Sequence, residues 1–227
     1  MIWLIAAIVF ALLLYTCNEP RLERPLTLLF DGVELLPDCD KQAVLRRLPA
    51  GYEFLDYRYS ITGCSLSTFH RDVTSSPYLF ETKHPVYTLI SYGSEGELLS
   101  VVPGSQASAP FVWGAPKVID STQAKAVLFH CDVLHAGVIS RNSQREAVQY
   151  KIAHRDDLPL LAELQGIDMD KQESTSISLG YEWLCRKLSL IFPFLINHVF
   201  TRYLQRQNNS FLNRLLLAVF GRSFYNQ

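Results

Sequence analysis

The chain has little net charge, few cysteines and no repeat. Its formal net charge is −1 over 227 residues, so no overall field draws it to nucleic acid, and no nucleic-acid partner is expected. The five cysteines (Cys17, Cys39, Cys64, Cys131 and Cys185) are odd in number and include no C-x-x-C spacing. They make neither a zinc site nor a disulfide framework, which favours a reducing compartment. Low-complexity tracts are absent as well. What the chain does have is apolar bulk: 48% hydrophobic residues, with 13 Phe and 11 Tyr. That is enough for a packed core and excludes disorder of the chain as a whole. The length suits one full domain with appendages, not two ordinary domains.

Residues 1–18, MIWLIAAIVFALLLYTCN, carry no charged side chain. At 1.5 Å per residue such a run reaches the short end of the roughly 17–25 residues that span a bilayer. A secretory signal would want basic residues ahead of the run and small ones before its cleavage point. No basic residue precedes the run, and Tyr15-Thr16-Cys17 is bulky. The expectation is an uncleaved, single-pass membrane anchor. Arg21 and Arg24 follow it, which favours a cytoplasmic domain, although Glu19 and Glu23 beside them weaken the signal.

Residues 25–160 read mostly as strands and turns. Leu26–Phe30 is a short apolar run closed by Asp31-Gly32. KQAVLRRL, between Asp40 and Pro49, has helical spacing. Phe54–Ile61 is aromatic and β-branched, and Val86–Tyr92 alternates. Gly93-Ser94-Glu95-Gly96 predicts a hairpin turn into Glu97–Val102. Ala126–Phe129 and Ala147–Ile152 read as buried strands. Short strands at this spacing predict a mainly β domain with flanking helices (α+β), a sandwich or jelly roll and not a parallel sheet. Residues 161–180 are predicted as a polar linker. Residues 181–227 form a basic tail with apolar residues at helical intervals, such as Leu184, Leu188, Ile191 and Leu195. Three readings of that tail stay open: amphipathic helices on a membrane surface, a helical layer packed on the domain, or a partner-binding arm. Membrane contact is slightly favoured.

Only six histidines are available for chemistry. His70-Arg71-Asp72 follows the strand-like stretch Ser60–Phe69, and residues two apart in an extended chain project to one face. Imidazole and carboxylate then point together at one metal. A second histidine from elsewhere completes the two-histidine, one-carboxylate set that leaves open positions on iron(II). His135 suits that role, following the strand Ala126–Phe129 and preceding Gly137. The H-x-D pattern recurs at His130-Cys131-Asp132 and His154-Arg155-Asp156. The first of these is too close to His135, and the second falls in a polar stretch that reads as solvated loop. His84 and His198 are read as incidental. Arg145 lies ten residues beyond His135 at the start of a strand. A buried guanidinium there wants an anionic partner, and its fork suits a carboxylate. Arg141 and then Lys151 are its rivals. Tyr87, Thr88 and Tyr92 are candidates to line the pocket, and Phe111 and Trp113 to cover its mouth.

The order H-x-D, a long interval, His, then Arg ten residues later resembles the Fe(II)/2-oxoglutarate dioxygenase superfamily. The segments Glu97-Leu-Leu-Ser-Val-Val-Pro-Gly-Ser105 and Val127-Leu-Phe-His-Cys-Asp-Val-Leu-His135 are similar to its phytanoyl-CoA-dioxygenase-like branch. Gln106 departs from it, since that branch often has histidine after Pro-Gly-Ser. The resemblance covers roughly residues 55–153. It implies a double-stranded β-helix (jelly-roll) core and an iron(II) held by His70, Asp72 and His135. It also implies that Arg145 anchors the co-substrate 2-oxoglutarate, and the strand pattern adds Tyr87 and Thr88 as expected co-substrate contacts. The implied reaction oxidises an organic substrate while 2-oxoglutarate becomes succinate and carbon dioxide. A lipid-like or acyl substrate is expected from the anchor alone. A protein side chain, or a catalytically silent membrane-bound binding module, is the alternative.

Overall fold

The computed structural model of the chain describes residues 2–17, 19–63, 68–72, 74, 82–108, 114–138, 145–173 and 186–190. Its described strands form two layers. The larger sheet runs in the order β1 (Val33–Leu36), β7 (Ala126–His130), β4 (Tyr87–Tyr92), β9 (Glu146–His154), β3 (Tyr57–Gly63) and β10 (Ile167–Glu173), with β2 (Tyr52–Phe54) also paired to β9. The smaller sheet runs β6 (Lys117–Asp120), β5 (Glu97–Val101) and β8 (His135–Gly137). An antiparallel bridge from His70 to His135 extends that sheet by one short segment. The path therefore crosses between layers repeatedly: β3 large, His70 small, β4 large, β5 and β6 small, β7 large, β8 small, β9 large. This is a mixed, β-rich sandwich.

Burial explains the sequence patterns. Leu99, Val101 and Ile119 of the smaller sheet meet Tyr92, Val127, Phe129 and Ala147 of the larger one between the layers. On the other face of the larger sheet, Leu36, Leu89, Leu128 and Ile152 lie under Val44 of the short helix Lys41–Leu45 and under Leu48. Asp40 caps that helix, its side chain accepting the Gln42 N–H. A strand covered on both faces reads as an unbroken apolar run, which is why Ala126–Phe129 shows no alternation. Each such fully buried Leu or Val contributes about 1.5–3 kcal/mol relative to exposure.

Several expectations change. Leu28–Asp31 is one helical turn, capped by Thr27 and closed by Gly32 at φ 68°. A side chain at Gly32 would meet Gln106 and Val133 within 2.7 Å, so the turn needs glycine twice over. Residues 93–96 do turn the chain, but not as a hairpin. β4 and β5 belong to different sheets, and the turn docks instead on Ser121 through Gly96. The expected linker over 161–180 begins inside a 3-10 segment, Arg155–Leu164, and continues into β10, which pairs in parallel with β3. Ile167 and Met169 pack inward while Asp168 and Asp170 pair outward with Arg58. Strand alternation had looked like polarity.

The apolar N-terminal run forms a helix, Ile2–Cys17, of 16 residues. Among the described residues no helix is long and apolar enough to cross a membrane. The described part of this one is about 24 Å long, against a hydrocarbon thickness of roughly 30 Å, so the described residues do not show the expected spanning anchor. The chain enters the fold directly after it. Glu19 is bound by Arg186, Lys187 and Ser100. Burial works to raise its carboxyl pKa, but Arg186, Lys187 and Ser100 outweigh that and bring it down to about 2. Arg186 and Lys187 are thus buried charges of the fold. The described part of the tail, 186–190, packs on the smaller sheet through Leu190. Residues 181–185 and 191–227 lie outside the described residues.

Candidate metal centre

The site sits where the end of the His70 segment meets the start of β8. Main-chain bonds in both directions, His70 N–H to His135 carbonyl at 2.9 Å and His135 N–H to His70 carbonyl at 3.0 Å, clamp the two histidines side by side. Their rings lie 4.5 Å apart, tilted by 52°. Each ring is aimed by its own backbone: His70 Nδ1 lies 2.8 Å from the Thr68 carbonyl and His135 Nδ1 3.0 Å from the Val133 carbonyl. A carbonyl can only accept, so each Nδ1 carries the proton and each Nε2 keeps its lone pair. That is how protein structures orient metal-binding histidines. Phe129 packs against the His135 ring at 4.5 Å.

Asp72 is the third member. Its main-chain N–H donates to the Cys131 carbonyl at 3.0 Å. Its Oδ1 lies 3.7 Å from His135 Nε2, and one ligand atom from each of the three residues falls within 4.8 Å of the others. Oδ2 accepts from the Thr88 hydroxyl and, at 2.6 Å, from Lys151 Nζ. Gln149 Nε2 stands 3.5 Å from Oδ1. Burial opposes ionisation of Asp72, but Lys151, His135 and His70 outweigh it and hold the carboxyl below its usual range. Burial, and then the neighbouring His70, push His135 down to about 4. Burial also lowers His70. A carboxylate beside two neutral imidazoles is the protonation state a divalent ion requires. The donor set fits iron(II), with three positions left open.

Arg71, between His70 and Asp72, was not singled out from the sequence. It is buried on the opposite side, with Nε donating to the Asp132 carbonyl at 2.7 Å and Nη2 to the Ser105 carbonyl at 3.0 Å. Ser105 Oγ in turn accepts the Leu134 N–H at 2.8 Å. The Pro103-Gly104-Ser105 segment therefore braces both segments that carry the candidate ligands. Ser189 adds a brace from the tail, accepting the Phe69 N–H at 2.7 Å, while the Arg186 guanidinium lies 4.7 Å over the Phe69 ring.

The other expected residues divide. Thr88 and Lys151 face the site, opposite each other on β4 and β9. Tyr87 does not: strand alternation turns it to the far face, where it meets Tyr52 and His130 edge-on. It is removed from the co-substrate set. Arg145 immediately precedes β9 and lies four residues, about 13 Å of extended chain, before Gln149. It is buried, and its Nε and Nη1 have no hydrogen-bond partner among the described residues, nor does the buried Tyr92 hydroxyl. Arg141, Phe111, Trp113 and His198 lie outside the described residues. The rival H-x-D triplets play local roles. His130 Nδ1 accepts the Asp132 N–H within a turn, and Cys131 Sγ donates to the Thr74 carbonyl. His154 caps the 3-10 segment through the Asp156 N–H.

No protein-family model and no curated protein matches the chain. Among solved structures it is similar to EvdMO1, at 14% identity over 50% of this chain and 30% of that one, with a TM-score of 0.38. It is similar to AviO1 from Streptomyces viridochromogenes Tue57, at 15% identity over 45% of this chain and 48% of that one, TM-score 0.32. A further similar structure is SnoN, described as a non-heme alpha ketoglutarate dependent epimerase from nogalamycin biosynthesis. There the identity is 14% over 56% of this chain and 79% of that one, TM-score 0.39. The chain thus spans 30% of EvdMO1 and 48% of AviO1. Likeness at this level assigns neither family nor activity.

Proposed function

We propose that the protein is an iron(II)- and 2-oxoglutarate-dependent oxygenase, and that its sheet-to-sheet path is a jelly roll. The observation that carries this reading is the clamped pair of histidines with both Nδ1 atoms committed to backbone carbonyls, facing the Asp72 carboxylate. In this proposal His70, Asp72 and His135 hold the metal. Arg145, a buried guanidinium with two uncommitted nitrogens, holds the distal carboxylate of 2-oxoglutarate. Bound iron supplies oxygen activation coupled to decarboxylation of 2-oxoglutarate to succinate. The chain's own residues do the rest. Thr68 and Val133 fix the ring orientations, Thr88 and Lys151 fix Asp72, and Phe129 shields one side of His135 from water.

The substrate belongs to the proposal also. The N-terminal helix exposes Ile2, Trp3, Leu4, Ile5, Ile8, Val9 and Phe10, which supports a membrane-associated location and with it a lipid-like or acyl substrate; Arg21 and Arg24 after the helix favour the cytoplasmic side. A protein side chain is the second reading. The test is succinate release by the full chain supplied with iron(II), 2-oxoglutarate and oxygen. Release that fatty-acyl amphiphiles stimulate and His70→Ala abolishes is expected. Stimulation by peptides instead selects the side-chain hydroxylase. Iron binding without any succinate selects a silent binding module and overturns the oxygenase reading.

A further inference from the structure

Lys151 is wholly buried, and its ammonium is the one cation bound directly to a proposed ligand among the described residues. Nζ donates to Asp72 Oδ2 at 2.6 Å and to Thr88 Oγ1 at 2.8 Å. The Asp72 carboxylate is thereby divided. Oδ2 belongs to Lys151 and Thr88, and Oδ1 faces His135 Nε2 at 3.7 Å with Gln149 at 3.5 Å. An ion entering between the imidazoles meets one oxygen and, behind it, a fixed positive charge.

Resting on the metal reading above, we propose that Lys151 is a positioning residue that serves as the site's resident counter-charge. It keeps the three ligands assembled without a metal and holds down the affinity for divalent ions. The physical ground is the cost of a buried carboxylate with no partner, which either an ammonium or a metal ion relieves. With Lys151 in place, an arriving ion adds to a pair already neutral and is repelled by the ammonium at close range. Without Lys151, the ion neutralises a bare carboxylate.

The sign of one measurement separates this role from ordinary support. A neighbour that merely aims a ligand costs roughly 10–100-fold in metal affinity when removed. A counter-charge does the reverse. The experiment uses the full chain stripped of metal, titrated with Mn(II) by calorimetry and melted with and without Mn(II). Lys151→Met is expected to melt lower than the parent without metal, to bind Mn(II) at least about tenfold more tightly, and to gain more melting temperature from Mn(II). Should Lys151→Met fold only when Mn(II) is present, the same conclusion is reached. Lys151→Arg keeps the charge and is expected to bind no more tightly than the parent. Unchanged or weaker Mn(II) binding by Lys151→Met overturns the inference, as does tighter binding by Lys151→Arg. A parent that binds Mn(II) no better than His70→Ala overturns the metal reading itself, and this inference with it.

Discussion

Among the described residues, two clusters contain two histidines and an aspartate close enough to share an ion: His70, Asp72 and His135, and His84, His154 and Asp156. Composition does not separate them. Geometry does. In the first, the rings are tilted by 52°, both Nδ1 atoms are committed to carbonyls, and Asp72 is buried. In the second, the rings are stacked at 3.9 Å and 29°, so their in-plane lone pairs run side by side and do not converge. His84 Nδ1 is held by Asp157 at 2.9 Å, His154 Nδ1 accepts the Asp156 N–H at 3.3 Å, and the Asp156 carboxylate is exposed. The second cluster closes β9 and starts the next segment. What separates the two clusters is convergence: the tilted rings of the first stand beside a buried carboxylate, while the stacked rings of the second hold their nitrogens side by side.

The comparison breaks most sharply on metal binding. His70→Ala is expected to lose more than about 100-fold in Mn(II) affinity, beyond the 10–100-fold typical of a supporting partner, whereas His84→Ala should stay within about twofold by the same calorimetry. Equal losses at both would mean that ring convergence is not the deciding feature. A middle-sized effect is expected at Asp157, whose carboxylate is fully buried and accepts the Lys83 N–H, the His84 N–H and the His84 ring. Asp157→Asn should cost about 1–3 kcal/mol of stability in a urea melt and leave Mn(II) affinity alone.

The smallest effect is in pH dependence. Burial raises the Asp157 carboxyl, but the Lys83 and His84 N–H groups and the His84 side chain outweigh it and hold it below 3.8. A carboxyl depressed in the folded state contributes stability that is fully present above its unfolded value and is lost as pH falls through its folded one. Stability should therefore fall with acidification below about pH 3.8, and the slope should be shallower in Asp157→Asn. An identical slope in the variant would remove Asp157 from that role.

Much of this was legible in the chain. Strand β4, the helix after Asp40 and the buried strands β7 and β9 follow from alternation, capping and apolar runs, each a local property. The choice of His70 over His130 and His154 followed from order along the chain, and the fold does bring His70 beside the distant His135. Other features were not legible because they depend on which strands become neighbours. The Gly93–Gly96 turn has hairpin residues yet joins two layers. β10 alternates, but its polar half suggested a linker until Arg58 supplied partners for Asp168 and Asp170. Tyr87 and Thr88 are adjacent, and only the register of β4 against β9 shows which one faces Asp72.

The sequence by itself determined which groups are on offer: two imidazoles, one carboxylate and a distant guanidinium, in the order His70, Asp72, His135 and Arg145. The tertiary structure alone decided the electrostatics. Lys151 lies 79 residues from Asp72 and Arg186 lies 167 from Glu19, and no local pattern records such separations. Buried charges are tolerated only where the fold brings their partners, so which lysine or arginine turns inward is fixed by strand register and sheet packing.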